Sequence, residues 1–172
     1  MTIRRLAPAD APAYRALMLE AYERHPDAFT SSASERAVLP LSWWEARLDP
    51  SPGAAQIVLG AFHAARLAGA AGLSFESREK SRHKANLFGM YVAPAARQSG
   101  LGRRLVQAVL DHAAAREGVR LVQLTVTEGN AAAQALYEQC GFSIFGVEPC
   151  AMALDGVFLA KVHMWRALTA GA

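Results

Sequence analysis

The feature that most constrains the fold is an amphipathic helix that directly follows a glycine-containing turn. Its apolar residues recur three and four positions apart, which is the spacing of a helix buried on one face. They are Leu101, Leu105, Val106, Val109, Leu110 and Ala113. The turn Arg97 to Gly102 leads into this helix, and the apolar stretch Ala85 to Val92 ahead of the turn predicts a strand. This succession of strand, turn and one-faced helix predicts a sheet that is covered by helices.

Six further strands and three further helices are predicted around this unit. The strands are Thr2 to Leu6, Gln56 to His63, Leu67 to Ser77, Val119 to Thr127, Phe142 to Val147 and Val157 to Trp165. The helices are Ala11 to Arg24, a short helix capped by Ser42 with Glu45 three residues later, and Asn130 to Cys140 ahead of Gly141. We expect a single domain over residues 1–172, with an α/β (mixed α+β) architecture. Its sheet is mostly antiparallel, with about seven strands and about four flanking helices.

Composition and charge limit the class of protein. The 172 residues are 52% hydrophobic and 19% charged, which is typical of a globular chain and not of a disordered one. Eighteen Lys and Arg against 15 Asp and Glu give a net charge of +3, and the sequence pI is about 9.1. The arginines are scattered without the dense basic block of a nucleic-acid arm, so nucleic-acid binding is disfavoured.

The cysteines and the N-terminal sequence indicate the compartment. Cys140 and Cys150 are too few for a disulfide scaffold and lack the paired spacing of a zinc site. The N-terminus has no signal-peptide pattern, and no stretch is apolar enough to span a membrane. We therefore expect a cytoplasmic protein with no metal and no membrane partner.

The turn Arg97 to Gly102 is a candidate anion site. A turn that opens a helix presents unpaired backbone N–H groups and a partial positive charge, and both favour a pyrophosphate. Glycine lets an anion approach the backbone closely. The turn lacks the Lys-Ser/Thr pair of a Walker loop and the full dinucleotide pattern. The alternative is an ordinary turn that needs its two glycines for backbone geometry alone.

Asn130 and Tyr137 form a second candidate pair. They are seven residues apart, which is two helical turns, and so they share one face of the predicted helix. Their alternative roles are structural, with Asn130 as a helix N-cap and Tyr137 as a core aromatic residue.

Taken together, the order of elements and two spaced motifs resemble the GNAT superfamily of acyl-CoA-dependent N-acyltransferases. The motifs are Val92-x-Pro94-x-x-Arg97-x-x-Gly100-x-Gly102 and Asn130-x(6)-Tyr137-x(3)-Gly141-Phe142. The resemblance spans nearly the whole chain. It implies that strands 4 and 5, which match Asn86 to Val92 and Val119 to Thr127, splay apart. It also implies that the pantetheine arm of acetyl-CoA pairs with the backbone of Met90, Tyr91 and Val92.

The same resemblance implies a role for each motif residue. The pyrophosphate is expected on the main-chain amides of the turn, whose residues are Arg97, Gln98, Ser99, Gly100, Leu101 and Gly102, with Arg103 beside it. Asn130 is expected to hydrogen-bond the cofactor arm, and Tyr137 to be the general acid. Gln98 replaces a glycine that many members have, which would weaken phosphate binding if its amide pointed elsewhere.

The implied reaction is direct transfer of the acetyl group from acetyl-CoA to a primary amine, of a small molecule or of a protein, in a ternary complex without a covalent enzyme intermediate. The family's strand glutamate is missing, so the base is left between Glu76, His83 and water. Acceptor recognition is expected from two irregular segments, Asp27 to Pro40 and Pro149 to Gly156. Three acidic residues could attract a cationic amine or could be ordinary solvated residues, namely Glu35, Asp27 and Glu45.

Several alternatives remain open from the sequence. The missing strand carboxylate would also suit a non-catalytic acyl-CoA-binding module, and the basic pI is the one argument for a nucleic-acid protein.

Trp43 and Trp44 could wall an acceptor pocket, although at least one is expected in the core. Cys140 is expected to be a small core residue and not a nucleophile. The apolar final strand and an exposed sheet edge are compatible with a homodimer.

Overall fold

Alternating apolar residues along the central strands build two cores, one on each face of a seven-stranded sheet. The computed structural model describes residues 1–168, and the last four residues of the expected domain lie outside the described part. The strands are β1 Thr2–Arg5, β2 Gln56–His63, β3 Arg66–Phe75, β4 Lys84–Val92, β5 Leu121–Thr127, β6 Ser143–Leu154 and β7 Val157–Ala167. The helices are α1 Ala11–Arg24, α2 Ala33–Ala37, α3 Leu41–Ala46, α4 Leu101–Ala115 and α5 Ala131–Gln139.

The strand order is β1-β2-β3-β4-β5-β7-β6, and β4–β5 is the parallel pair among antiparallel neighbours. This pair is short, because only Lys84–Asn86 lies in register with Leu121–Gln123. Beyond these three residues the two strands part. The predicted mixed sheet and its splay between strands 4 and 5 are therefore confirmed.

A β-bulge distorts β4 where it leaves β5. On β3, Ala70 and Gly72 are two residues apart, whereas their partners Tyr91 and Phe88 on β4 are three apart. The extra residue lies at Gly89–Met90, and Gly89 has a φ of +58°, a conformation that glycine adopts without a steric cost. The bulge redirects the backbone of β4 at Met90.

Helices α4 and α5 cover one face of the sheet, and α1 and α3 cover the other. The predicted apolar stripe of α4 is buried against β2, β3 and β5, with Leu105, Val106 and Val109 fully inaccessible. On the opposite face Trp44 is 1% exposed and packs edge-on against Tyr14, with ring centroids 5.7 Å apart. Trp44 is therefore the core tryptophan of the pair.

The second predicted helix begins two residues earlier than expected, so Ser42 does not cap it. Pro40 is the N-cap of α3, and its extended backbone turns the chain into the helix at Leu41. The capping box lies instead at α2, where Ser32 Oγ accepts from Glu35 N at 3.2 Å and Glu35 Oε2 accepts from Ser32 N at 3.0 Å. The irregular segment Asp27 to Pro40 thus contains a short helix, and the described residues form five α-helices, close to the expected number of about four.

The segment Pro149 to Gly156 is mostly strand, which corrects the expectation of an irregular connection. β6 continues to Leu154 through an irregularity between Glu148 and Met152, where Cys150 has a φ of +52°. A proline is tolerated there because β6 is an edge strand and the irregularity interrupts its pairing. Within residues 1–168, no helix has both the length and the apolar character of a membrane span.

We expect Leu105→Ala to lower the free energy of unfolding by about 2–5 kcal/mol, because the side chain is fully buried between α4 and the sheet. The matched control is Gln107→Ala on the exposed face of the same helix, with an expected effect within about 0.5 kcal/mol. Urea unfolding followed by circular dichroism measures both. Equal stabilities for the two variants would contradict the packing of α4.

Candidate active site

A cleft of about 1090 Å³ opens where β4 and β5 part. Its wall is formed by the end of β4, the turn before α4, the start of α5 and the loop after α1. The predicted site residues that line it are Met90, Tyr91, Val92, Arg97, Gln98, Gly100, Leu101, Gly102, Arg103, Asn130 and Tyr137. Ser99 does not line the cleft, because its hydroxyl donates to Ala96 O at 2.7 Å.

The cleft exposes the edges of two strands. From Leu87 to Val92, β4 has no partner on the side of β5, so the backbone groups on this side are available for hydrogen bonding. One of the acceptors is already engaged, because Arg97 Nε donates to Val92 O at 3.0 Å. An extended ligand can pair with the remaining edge as an added strand would.

The N-terminus of α4 forms the other end of the cleft. The N-cap Gly100 has a φ of +73°, and the first backbone hydrogen bond after it is donated by Arg104 to Gly100 O at 3.1 Å. The amides of Leu101, Gly102 and Arg103 therefore have no partner within the helix. A Cβ built on Gly100 would meet no atom within 4 Å, so the space beside this glycine is open. This geometry suits an anion on the helix dipole.

Two side chains shape the turn before α4. Gln98 has a φ of +62°, in the left-handed region that glycine favours, so the glutamine side chain does not prevent the backbone geometry expected of a glycine. Arg97 is folded against the protein, since its Nη2 lies 2.8 Å from His25 Nε2 and its guanidinium lies 5.7 Å from the Tyr91 ring centroid. The turn is thereby fixed to the end of α1.

Asn130 is a structural cap whose side chain also keeps a free donor. It is the N-cap of α5, and its Oδ1 accepts from Ala133 N at 3.2 Å. Its Nδ2 group makes no hydrogen bond within the described residues, although Asn130 lines the cleft. The cap therefore fixes the side chain and leaves a donor for a ligand.

Tyr137 is a buried aromatic residue whose hydroxyl has no hydrogen-bond partner among residues 1–168. Its side chain is 6% exposed and packs edge-on against Phe142, with ring centroids 5.8 Å apart. Burial raises the pKa of Tyr137 above the usual value near 10, and the nearby Cys140 adds to this shift. The phenol is therefore protonated at neutral pH and can act as a proton donor.

A second, smaller cavity of about 260 Å³ adjoins the cleft. Both cavities are lined by the same six residues, which are Ala28, Phe29, Met90, Asn130, Ala133 and Tyr137. The loop after α1 forms part of this shared wall and is held in place by Thr127, whose Oγ1 donates to Asp27 O at 2.6 Å. The two cavities therefore meet at Met90, Asn130 and Tyr137.

The predicted base candidates lie away from this junction. Glu76 precedes β4, and its Oε1 accepts from Asn86 Nδ2 at 3.1 Å at the paired end of the strand. His83 immediately precedes β4 at the same end. Met90 lies four residues beyond Asn86, which corresponds to about 13 Å along an extended strand. Neither Glu76 nor His83 lines the cleft or the smaller cavity.

The expected acceptor segments are placed differently. Residues 28–31 and Arg36 of the loop after α1 line the smaller cavity, whereas no residue from Pro149 to Gly156 does. The reason is that the latter segment belongs to the sheet edge at β6. Of the acidic candidates, Asp27 lines the larger cleft, and neither Glu35 nor Glu45 lines either cavity.

Sequence reasoning missed three cationic residues of the smaller cavity. They are Arg36, Arg47 and Lys161. Lys161 had a signal that could have found it, because it is the single Lys, Arg, Asp or Glu of the predicted strand Val157 to Trp165. In the structure it is only 7% exposed. Arg36 and Arg47 had no such signal, since exposed arginines are scattered through the whole sequence.

Comparison with known proteins assigns the family. The family model described as "Acetyltransferase (GNAT) family" matches residues 15–142, which is most of the chain and includes both motifs. The chain belongs to the acetyltransferase (GNAT) family. The resemblance noted in the sequence is therefore confirmed.

Individual relatives support the GNAT assignment. A mycothiol acetyltransferase of Salinispora tropica is 32% identical over 145 residues, which cover 83% of this chain and 45% of the relative. The chain thus spans about half the length of the curated relatives it matches first. A GNAT-family acetyltransferase structure from Streptococcus pneumoniae has a TM-score of 0.88 at 27% identity, over 98% of this chain and 99% of that one. The structure of yncA from Salmonella typhimurium, described with its cofactor acetyl-CoA, has a TM-score of 0.79 at 26% identity, over 100% and 96%.

We expect Gly100→Val to lower affinity for coenzyme A by more than about 10-fold, which is about 1.4 kcal/mol. The branched side chain would fill the open space beside the N-terminus of α4. The affinity is measured by isothermal titration calorimetry. Because valine is also strained at the φ of +73°, some loss of stability is expected as well.

The matched control is Gly118→Val. Gly118 has a φ of +84° and open space around its Cβ position, but it follows the C-terminus of α4 and does not line either cavity. Gly118→Val should therefore show the same backbone strain with an unchanged affinity for coenzyme A. Equal losses of affinity in the two variants would count against an anion site at Gly100.

Proposed function

We propose that the protein transfers the acetyl group of acetyl-CoA to a primary amine by direct attack within a ternary complex. The observation that carries this proposal is the meeting of two cavities at Met90, Asn130 and Tyr137. A long cleft with an anion-binding end and a small side cavity provide separate places for a large donor and a small acceptor. Their shared wall holds a donor group at the place where the two would meet.

The residues of the cleft fit coenzyme A. The unpaired amides at the start of α4, the open space beside Gly100 and the nearby Arg103 suit its pyrophosphate. The free edge of β4 suits the amide-bearing arm, and Asn130 offers its unused Nδ2 donor to it. The bound thioester supplies an activated acetyl group to the amine.

The protein's own groups perform the proton and charge steps. A backbone amide near Met90, where the bulge redirects β4, is positioned to donate to the acetyl oxygen as negative charge develops on it. Tyr137 keeps its proton because burial raises its pKa, and it donates that proton to the leaving sulfur. No carboxylate or imidazole lines the smaller cavity among residues 1–168, so the amine must lose its proton to water.

A non-catalytic acyl-CoA-binding module of the same fold is the competing function. It is favoured by the absence of an acidic residue from β4 and from the described lining of the smaller cavity. Coenzyme A binding without thiol release on any amine would support this alternative over acetyl transfer.

We place the reaction in the cytoplasm. Both cysteines are free thiols, with Cys140 buried and Cys150 exposed, which suits a reducing compartment.

We further propose that the protein forms a homodimer through the β6–β7 face. β6 is an edge strand, and one face of the β6–β7 pair carries the apolar side chains Ile144, Val147 and Phe158, each at least 47% exposed. Val157 and Trp165, which are also exposed, lie on the opposite face. A self-complementary apolar patch at a free edge suits a two-fold interface.

We expect Tyr137→Phe to lower kcat by about 100-fold or more while leaving the affinity for coenzyme A unchanged, because only the proton donor is lost. Thiol release from acetyl-CoA with an amine acceptor measures kcat, and calorimetry measures the affinity. In the unmodified protein, titration of Tyr137 should cause no loss of activity up to about pH 10, since its pKa is raised. Full activity of the phenylalanine variant would exclude Tyr137 as the acid.

We expect Phe158→Glu to convert the dimer to a monomer, because a charge at the 68% exposed Phe158 would be buried in the interface. Val38→Glu, at an 82% exposed apolar residue outside this face, is the matched control and should stay dimeric. Light scattering coupled to size-exclusion chromatography gives the mass. An unmodified protein that elutes as a monomer would contradict the proposed dimer.

A further inference from the structure

The smaller cavity is lined by three cationic side chains and, within the described residues, by no carboxylate. The cations are Arg36, Arg47 and Lys161. We propose that the cavity binds an acceptor that carries an oxyanion, a carboxylate or a phosphonate, on the same small molecule as its amine. The inference rests on the proposed acetyl transfer and names the class of its acceptor.

The guanidinium groups of Arg36 and Arg47 both lie against one indole ring. The Cζ atoms of Arg36 and Arg47 lie 4.6 Å and 4.8 Å from the ring centroid of Trp43. Arg36 is fixed further by donating from Nη2 to Ser31 Oγ at 2.7 Å, and Arg47 also lies 5.3 Å from the Phe88 ring centroid. Stacked guanidinium groups lose little conformational entropy when they bind an oxyanion. Two like charges beside one ring repel each other, and an anion bound in the cavity that both arginines line would relieve that repulsion.

Neither guanidinium nor Lys161 forms an ion pair within 4.0 Å among the described residues. The ion pairs described there are Arg4–Asp10, Arg24–Glu20 and His163–Glu148. Glu148 lies opposite Lys161 in the β6–β7 register, but its Oε2 contacts His163 Nε2 at 2.9 Å. Lys161 is 7% exposed, and burial lowers its pKa more than the nearby charges of Glu148 and Asp27 raise it. A buried cation without a partner is costly, and a bound anion would offset that cost.

The neutral lining also suits an oxyanion. Thr30, Ser31 and Thr125 contribute hydroxyl groups to the same cavity. Glu35 does not line the cavity, because its Oε2 accepts a hydrogen bond from the backbone N of Ser32, 3.0 Å away, at the start of α2. A polyamine would therefore meet like charges with no carboxylate to pair with, which disfavours this acceptor class.

The volume of the smaller cavity suits a small acceptor. About 260 Å³ corresponds to roughly nine water molecules at about 30 Å³ each. This matches an amine and an oxyanion joined by a short carbon chain. The oxyanion would lie among the three cations and the amine would face Met90 and Tyr137, because both sets of residues line the same cavity.

The cations also explain how the amine can react without a basic residue. Nearby positive charges disfavour the ammonium form, so the amine loses a proton to water more readily. Its nitrogen then forms a bond to the acetyl carbon as the carbon–sulfur bond breaks, and the electron pair of that bond goes to sulfur. The sulfur receives a proton from Tyr137, which water restores, and the nitrogen releases its second proton to solvent. The products are an acetamide and free coenzyme A.

The decisive experiment compares matched acceptors on the unmodified protein. The panel consists of α-amino acids, the α-aminophosphonates with the same side chains, the corresponding carboxamides and the corresponding decarboxylated amines. We expect thiol release from acetyl-CoA with a kcat/KM at least about 10-fold higher for the best oxyanion-bearing amine than for its carboxamide, as a charge-assisted pair should give. The carboxylate and phosphonate arms show which oxyanion is preferred.

Variants of the cavity test the same point. Arg47→Gln should lower kcat/KM for the oxyanion-bearing amine by at least about 10-fold and for its carboxamide by less than about threefold. Arg47→Lys keeps the charge but loses the planar fork, so an intermediate loss is expected. Arg78→Gln, at an exposed arginine outside both cavities, should change neither value. Coenzyme A affinity by calorimetry shows that each variant is folded.

The outcomes separate this inference from the proposed function. Turnover of carboxamides or decarboxylated amines that equals or exceeds that of the acids would overturn the oxyanion inference and leave acetyl transfer standing. Equal losses for acid and carboxamide in Arg47→Gln would also overturn it. Coenzyme A binding with no thiol release on any of the four sets would contradict acetyl transfer, and with it this inference.

Discussion

The rest of the structure depends on the brief parallel contact between β4 and β5. Three residue pairs, Lys84–Asn86 with Leu121–Gln123, hold the two halves of the sheet together, and beyond them each strand keeps only its outer partner. An unpaired strand edge inside a protein must find hydrogen-bond partners in water or in a ligand. The parting of the strands therefore creates the cleft and also supplies its polar wall. The bulge at Gly89 fixes where that wall bends.

The architecture was predictable because it follows from local patterns. The apolar stripe of α4 repeats at the helical period, and β-branched or apolar runs mark the strands. Tertiary packing therefore did not change these local secondary-structure preferences. The errors occurred where two signals compete over a few residues. Ser32 and Ser42 both have a glutamate three residues later. Because Pro40 is the N-cap of α3, Ser42 lies within that helix, and the capping box forms at Ser32. In β6, Pro149 suggested a break, whereas an edge strand tolerates it.

The candidate site also has one part that the sequence could predict and another that it could not. The turn before α4 and the pair Asn130 and Tyr137 each lie within one short segment, so their spacing could be read directly. The smaller cavity draws on α2, the end of α3 and β7, which are distant in sequence and meet only after folding. Nothing local to Arg36 or Arg47 indicates that Trp43 stacks both. The same limit explains why Glu76 and His83 were candidate bases, since sequence does not measure their distance from Met90.

The start of α4 presents its donors from the main chain. Amides at Leu101, Gly102 and Arg103 persist whatever side chains occupy these positions, provided that the backbone keeps its path. Gln98 shows this tolerance, because it adopts a glycine-like conformation without being glycine. Sequences can therefore drift widely while their shape is retained, which agrees with a TM-score of 0.88 at only 27% identity. Proteins related in this way can therefore share the path of the backbone while they differ in most of their amino acids.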